Sequence, residues 1–265
     1  MEVVSDVHGA FEALAVVASR AERLLILGDL INLTDYRTGE GITAEVFGID
    51  ISRAIAQARA EGDYRRMRSL WTAAVGGREE VVRRSFAECV EQQYREMRDA
   101  LEGASGFVTF GNVDRPSVLR DHLPDGLAFV DGDVFEIDGV TIGVVGGGIA
   151  TPLGAAGEVS DEDMARKLDA IGPVDVLCSH LPPAVGPLHF DVITGRPERA
   201  SVPILEYVRA RQPVLHLFGD VHQPQASRWR VGRTLCRNVG YFRATRRAVR
   251  LDLARVREQR YLRAD

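Results

Sequence analysis

Two spacings of apolar residues alternate along this chain. Short unbroken runs recur at Val3-Val4-Ser5, Leu24-Leu25-Ile26-Leu27, Phe107-Val108-Thr109-Phe110, Val174-Asp175-Val176-Leu177-Cys178 and Val214-Leu215-His216-Leu217-Phe218. Runs of this length predict strands covered on both faces. Three- and four-residue steps replace them between the second and third runs. Val81, Val82, Phe86, Cys89, Val90, Tyr94, Met97 and Leu101 mark one face of a long helix. Ala44 to Ala60 and Tyr64 to Val75 predict two more helices, broken at Gly62 and at Gly76-Gly77. Trp71, Met67 and Met97 read as the core of this segment. Elsewhere the pattern predicts helices over Ala10–Ser19, Ser160–Ile171 and Val202–Arg211, with Ser160 as an N-cap. It also predicts a hairpin turning at Asp138-Gly139 and a later one around Gly232. The alternation indicates an α/β fold, residues 1–265 forming one domain that carries a helical insertion at about 43–103.

Each of the five runs ends in a polar cluster: Asp6-Val7-His8, Gly28-Asp29, Gly111-Asn112-Val113-Asp114, Ser179-His180 and Gly219-Asp220-Val221-His222. Sites in α/β sheets collect at the carboxyl ends of strands, so five such ends can deliver oxygen and imidazole donors to one cleft. A carboxylate placed directly after an apolar run is costly unless it is paired or binds a metal. The helix after Gly9 points its N-terminus at Asp6 and His8, where its dipole favours a phosphate. Arg37, in the loop after Asp29, is a candidate contact for a phosphate or carboxylate of the substrate. Gly146-Gly147-Gly148 lets backbone pass close to a neighbour. His216 lies inside an apolar run and reads as a core residue, while His122 and His189 read as loop residues. Cys89, Cys178 and Cys236 have no ligand spacing and read as buried free thiols.

These clusters resemble, in order over residues 6 to 222, the motifs of the calcineurin-like metallophosphoesterase superfamily: D-x-H, G-D, G-N-H-[DE], a lone His, and G-H-x-H. The resemblance implies a two-sheet β-sandwich flanked by helices, an αββα arrangement, with two divalent metal ions at the strand ends. Asp6, His8 and His222 would hold the first ion, Asp29 would bridge both, and Asn112 and His180 would hold the second. Asp29, Asn112 and His222 would act at the reacting phosphorus, with Asn112 and Arg37 on the substrate. Asn238 and Gly240 resemble the closing N-x-G element.

Two positions depart from the pattern. Val113 stands where the family has its catalytic histidine, as in a branch of small phosphodiesterase-like members with G-N-x-D. Asp220 replaces the first histidine of G-H-x-H. As a seventh ligand, its harder carboxylate tilts the second site toward manganese or magnesium. Manganese is the leading expectation, with iron, zinc, nickel and magnesium as alternatives.

The implied reaction is hydrolysis of a small or nucleotide-like phosphodiester by a water held between the metals. Without a histidine at 113, poor leaving groups suffer most, which ranks phosphomonoesterase or protein phosphatase activity lower. The other reading is a non-catalytic scaffold on the same fold, against which stand the intact Asp6, His8, Asp29 and His222.

Composition agrees with a soluble protein: 265 residues, 45% hydrophobic and 27% charged. There is no apolar stretch long enough for a bilayer, and the start of the first strand at Val3 predicts no signal peptide. Three cysteines without a pairing pattern suit a reducing cytoplasm. A net charge of −5 argues against broad nucleic-acid binding. The arginines at 243, 246, 247, 250, 255, 257, 260 and 263 read as a solvated face. The insertion is expected to cap the cleft or to form a homodimer surface.

Overall fold

The computed structural model describes residues 1–151 and 154–261; Arg263 lies outside them. In chain order the elements are β1 (Glu2–Val4), α1 (Phe11–Ala18), β2 (Leu24–Ile26), α2 (Ile42–Phe47), α3 (Ile49–Ala60), α4 (Tyr64–Val75), α5 (Glu79–Ala100), β3 (Gly106–Val108), α6 (Pro116–Asp121), β4 (Leu127–Phe129), β5 (Asp133–Ile137), β6 (Val140–Val145), β7 (Gly148–Ile149) and β8 (Glu158–Val159). There follow α7 (Asp161–Ile171), β9 (Val176–Ser179), α8 (Gly186–His189), β10 (Phe190–Asp191), β11 (Arg196–Pro197), α9 (Val202–Arg211), β12 (Leu215–Phe218), β13 (Arg228–Val231), β14 (Thr234–Asn238), α10 (Phe242–Thr245), β15 (Val249–Arg250) and α11 (Leu253–Tyr261).

The strands form two main sheets, in the orders β15-β1-β2-β3-β4 and β13-β14-β12-β9-β6-β5. All five predicted runs become interior strands, and β1, β2, β3 and β4 pair parallel, as do β6, β9, β12 and β14. Antiparallel edges are added by β15, β13 and β5. Two-residue alternation sorts each run between two cores. Val4, Leu24, Ile26 and Val108 face outward into a layer that contains Leu14 of α1 and Leu119 of α6. Val3, Leu25 and Leu27 face inward against Ile142, Val144, Val176 and Leu217 of the other sheet. On the far side Val145, Leu177 and Phe218 pack under Leu168 of α7 and Val208 of α9. Helix, sheet, sheet, helix is therefore the layering, as expected.

The helical segment between β2 and β3 divides in two. Helix α5 lays Val82, Phe86, Val90, Tyr94 and Met97 into the same outer core as α1, so Met97 belongs to the main fold. Helices α3 and α4 close a small core of their own around Ile55, Ala58 and Met67. Trp71 packs edge-on to Phe47, at 5.0 Å between ring centroids, and also against Phe86. The helix expected over 44–60 is broken at Gly48, whose φ of 89° ends α2 and begins α3. Asp138 and Gly139, with φ of 52° and 76°, make the predicted hairpin turn. Ser160 caps α7 by accepting from the Asp163 amide. His189 ends the four-residue helix α8 and His122 caps α6, so neither is a plain loop residue. No helix among the described residues is long and apolar enough to cross a membrane.

Candidate metal centre

The carboxyl ends of β1, β2, β9 and β12 converge, and their following residues turn abruptly. Asp6, His8, Asp29 and Asp220 all take the left-handed conformation, with φ of 58°, 43°, 54° and 66°. Four non-glycine residues in this region, all bearing donors, mark backbone strain held by its surroundings, as functional sites often show. The glycines of the motifs have a steric reason. A Cβ on Gly111 would come within 2.2 Å of Asp29 Oδ1 and 2.7 Å of His180 Nε2. One on Gly219 would meet Ser5 Oγ at 2.0 Å and Asp6 Oδ2 at 2.5 Å, and one on Gly28 would strike the Gly111 backbone. Gly148 likewise touches Asn112, where a Cβ would lie 2.2 Å from the Asn112 Cβ. The predicted close passage of the triple glycine is therefore against a cleft residue.

Two donor sets result. In the first, His8 Nε2 lies 3.3 Å from His222 Nε2, 3.5 Å from Asp29 Oδ2 and 4.0 Å from Asp6 Oδ1. His222 Nε2 is 3.5 Å from Asp6 Oδ1. In the second, His180 Nε2 lies 3.2 Å from Asn112 Oδ1, 3.5 Å from Asp29 Oδ1 and 3.6 Å from Asp220 Oδ1. Donors bonded at about 2.1 Å to one ion lie roughly 3 to 3.5 Å apart, so both sets have the spacing of a coordination shell. Asp29 turns one oxygen to each. The structure thus brings together all seven residues expected as ligands.

The surrounding shell orients them. His180 Nδ1 lies 2.9 Å from the Leu27 carbonyl and His8 Nδ1 lies 3.3 Å from that of Ile31, which leaves each Nε2 free for a metal. Asp114 is buried and accepts from the amides of Asp29, Leu30 and Gly111 at 2.8, 3.0 and 2.9 Å. It is a brace for the Asp29 loop. Tyr94 of α5 donates to Asp114 and accepts from the Arg115 amide. The Val113 amide donates to Asp29 Oδ1 at 3.1 Å, while its side chain packs against the outer core. The Asn238 amide group donates to the Val221 carbonyl and its Oδ1 accepts from Gly240, which fixes the His222 loop. His216 is fully buried and its ring lies 2.8 Å from Ser179 Oγ, as a core histidine.

Sequence reasoning missed two supports. The Tyr241 ring stacks on His222 at 3.8 Å and 2°. Arg243 donates to the His8 carbonyl and to Asp35. Only their closeness to the N-x-G element hinted at either. Arg37 is exposed and lines a cavity of about 820 Å³ that also touches Gly9, Asp35, Tyr241 and Arg243.

The electrostatics suit cations. Burial, reinforced by Asp114, Asp6 and Asp220 and opposed by His180, pushes the Asp29 carboxyl up to about 7. Burial alone would lower His180, but the neighbouring Asp29 and Asp220 raise it to about 10. Burial and the charge of His222 hold His8 down at about 3. Asp6 is lowered to about 2: His222 outweighs the effect of burial. Three carboxylates this close share protons unless a stronger cation neutralises them. Imidazole and carboxylate oxygen together fit a divalent transition ion.

No family model matches the sequence, and no curated protein matches it. Solved structures do share the fold. One aligns over 96% of this chain and 95% of its own at 14% identity, with a TM-score of 0.60. The protein TT1561 of Thermus thermophilus aligns over 94% of this chain and 96% of its own at 13% identity, with a TM-score of 0.50. The shared feature is the two-sheet layered architecture over nearly the whole of each chain.

Proposed function

We propose that this chain is a metal-dependent phosphoesterase of the calcineurin-like kind, acting as a phosphodiesterase on a small or nucleotide-like ester, with manganese as its ion. The observation that carries the reading is Asp29, whose two oxygens belong to two separate donor sets. Asp6, His8 and His222 would hold one ion, and Asn112, His180 and Asp220 the other. Bound there, two divalent ions neutralise phosphoryl oxygens and make water nucleophilic near neutral pH. Asp114 holds the Asp29 backbone amide and the Val113 amide donates to its Oδ1, so one carboxylate oxygen stays turned to each donor set. Asn112 Oδ1 lies at the His180 end of the cluster, with its amide nitrogen left to meet a phosphoryl oxygen. Arg37 lies farther out, as a contact for a larger substrate. Val113 offers no proton, which favours esters whose leaving group needs little help.

The same reading makes α3 and α4 a cap. Their connecting turn reaches the β10–β11 hairpin, where a Cβ on Gly62 would lie 3.2 Å from the Arg196 guanidinium. We further propose a cytoplasmic location, without membrane or broad nucleic-acid partners.

Metal-stripped protein should hydrolyse bis(4-nitrophenyl) phosphate only after Mn²⁺ is restored, and Asp29→Asn should lose at least a hundred-fold in kcat. Well-folded, metal-loaded protein that turns over no phosphoester would instead support the scaffold reading, which the side chain at 113 favours.

A further inference from the structure

The valine side chain at position 113 offers no proton donor, and a second pair of groups stands at the loop that follows Asp29. Tyr36 lies in the loop after Asp29 and Arg59 in the last turn of α3. Arg59 Nη1 donates to Tyr36 Oη, and the guanidinium carbon stands 4.4 Å from the ring centroid. Among the described residues, the Arg59 guanidinium makes no ion pair and no hydrogen bond besides that to Tyr36. A guanidinium braced by a neutral phenol keeps its charge and its remaining donors for an arriving anion. The charges that act on Arg59 come from Tyr36, Tyr64 of α4, Glu198 beyond β11 and Asp220. Asp35, next to Tyr36, accepts from Arg243, which also donates to the His8 carbonyl, so the loop that carries Tyr36 and holds Arg59 is tied to the first donor set. Tyr36 packs its ring against Arg59 and keeps 42% of its surface accessible. Because its oxygen accepts from Arg59, its own proton is left to donate outward.

We propose that Arg59 and Tyr36 form the leaving-group end of the site: Arg59 binds a non-bridging phosphoryl oxygen, and Tyr36 protonates the departing ester oxygen. The assignment rests on the phosphodiesterase reading above. In the step, a water oxygen bonds to phosphorus as the bond from phosphorus to the ester oxygen breaks. The electron pair of that bond leaves with the ester oxygen, which takes the phenolic proton of Tyr36. The phenolate, held beside the Arg59 guanidinium, recovers through solvent the proton released by the attacking water. One diester and one water become one monoester and one alcohol.

Two measurements on Mn²⁺-loaded protein test this. The first is the ratio of kcat for bis(4-nitrophenyl) phosphate to kcat for diphenyl phosphate, whose phenol is the poorer leaving group. Tyr36→Phe should raise that ratio about a hundred-fold, the size of a lost general acid, with the loss falling on diphenyl phosphate. An unchanged ratio overturns the role of Tyr36. The second is inorganic phosphate binding by titration calorimetry. Arg59→Ala should weaken it about ten- to a hundred-fold, as expected for a charged hydrogen bond, and Arg59→Lys less. Equal affinity in wild type and Arg59→Ala overturns the role of Arg59. If wild type turns over neither ester, the diesterase reading has failed and the acid role of Tyr36 falls with it. The phosphate titration then decides Arg59 alone.

Discussion

The two halves of the candidate metal centre are built differently. The half around Asp6, His8 and His222 is braced from the C-terminal part of the chain: Tyr241 stacks on His222, and Arg243 holds the His8 carbonyl. The Asp220 amide donates to both oxygens of Asp6, at 3.1 Å each. The half around Asn112, His180 and Asp220 relies on close backbone packing, through Gly111 and Gly148; each half has one ligand candidate at the solvent rim, Asp220 here, 22% exposed, and His222 in the first, 28% exposed under its Tyr241 brace. The second is also the half in which a carboxylate stands where the resembling motif has an imidazole. A ligand at the open rim can change chemistry at small cost to the fold, whereas Asp6, His8 and Asp29 are wedged among each other.

Adding one methyl group to either half sharpens that contrast. Gly111→Ala drives a Cβ into Asp29 Oδ1 and the His180 ring. Neither can retreat far, because Asp29 is tied to Val113 and His180 to Leu27. We expect loss of the second ion, a fall in activity of more than a hundred-fold, and destabilisation of about 1–3 kcal/mol from overpacking. Gly219→Ala presses on the ends of Ser5 and Asp6 and should instead weaken the first ion. Metal content per chain and thermal melting would check both. Two full equivalents of metal in Gly111→Ala would break the assignment of the second site.

How much of this was legible in the sequence follows from how local each cause is. The strands, the Asp138-Gly139 turn and the Ser160 cap rest on residues adjacent in the chain, and they appear where the pattern placed them. The candidate donors converge because each follows its own strand directly and carries the resembling motif with it. Tyr94 bracing Asp114, Arg59 over Tyr36 and Tyr241 on His222 join residues about 20 apart that only tertiary packing brings together, and no spacing announces them. Helix α5 looked like an inserted element because its apolar stripe does not say which core it faces. The break at Gly48 was missed because one glycine within a helical pattern is often tolerated.

The halves should also differ in how pH governs metal uptake. In the first, Asp6 lies at about 2 and His8 at about 3, so both are free of protons at neutral pH; only His222, which burial lowers but Asp6 raises above its ordinary value, holds a proton more firmly than a free imidazole. In the second, the metal-free protein holds a proton on His180 up to about 10, besides the one that Asp29, shared by both halves, holds up to about 7. An ion entering there must displace them. Affinity for the second Mn²⁺ should rise about ten-fold per pH unit between 7 and 9, and more steeply below 7. The first ion should respond less. Both raised groups also stabilise the metal-free fold at low pH. The Asp29 contribution fades as pH rises through 7 and that of His180 as it rises through 10, so added metal should raise Tm more at pH 8 than at pH 6. Calorimetric proton release per ion would show the asymmetry, and equal release for both ions would remove it.

The smallest expected effect concerns the rim itself. Asp220 Oδ1 stands 3.6 Å from His180 Nε2, and its backbone already adopts the left-handed turn. Histidine tolerates that turn better than most residues, so Asp220→His should fold without disturbing the amide that holds Asp6. Replacing the carboxylate removes one negative charge and supplies a softer donor. The second ion should bind more tightly, by about ten-fold for zinc, with manganese gaining less or losing ground. The sharper reading is the ratio of zinc to manganese affinity, since tighter packing of the loop would raise both together. A changed ratio places the side chain at 220 on the ion. An unchanged ratio and unchanged metal content would leave Asp220 as a turn residue whose amide, rather than its carboxylate, serves the site, and the second half would then be a three-donor site open to solvent.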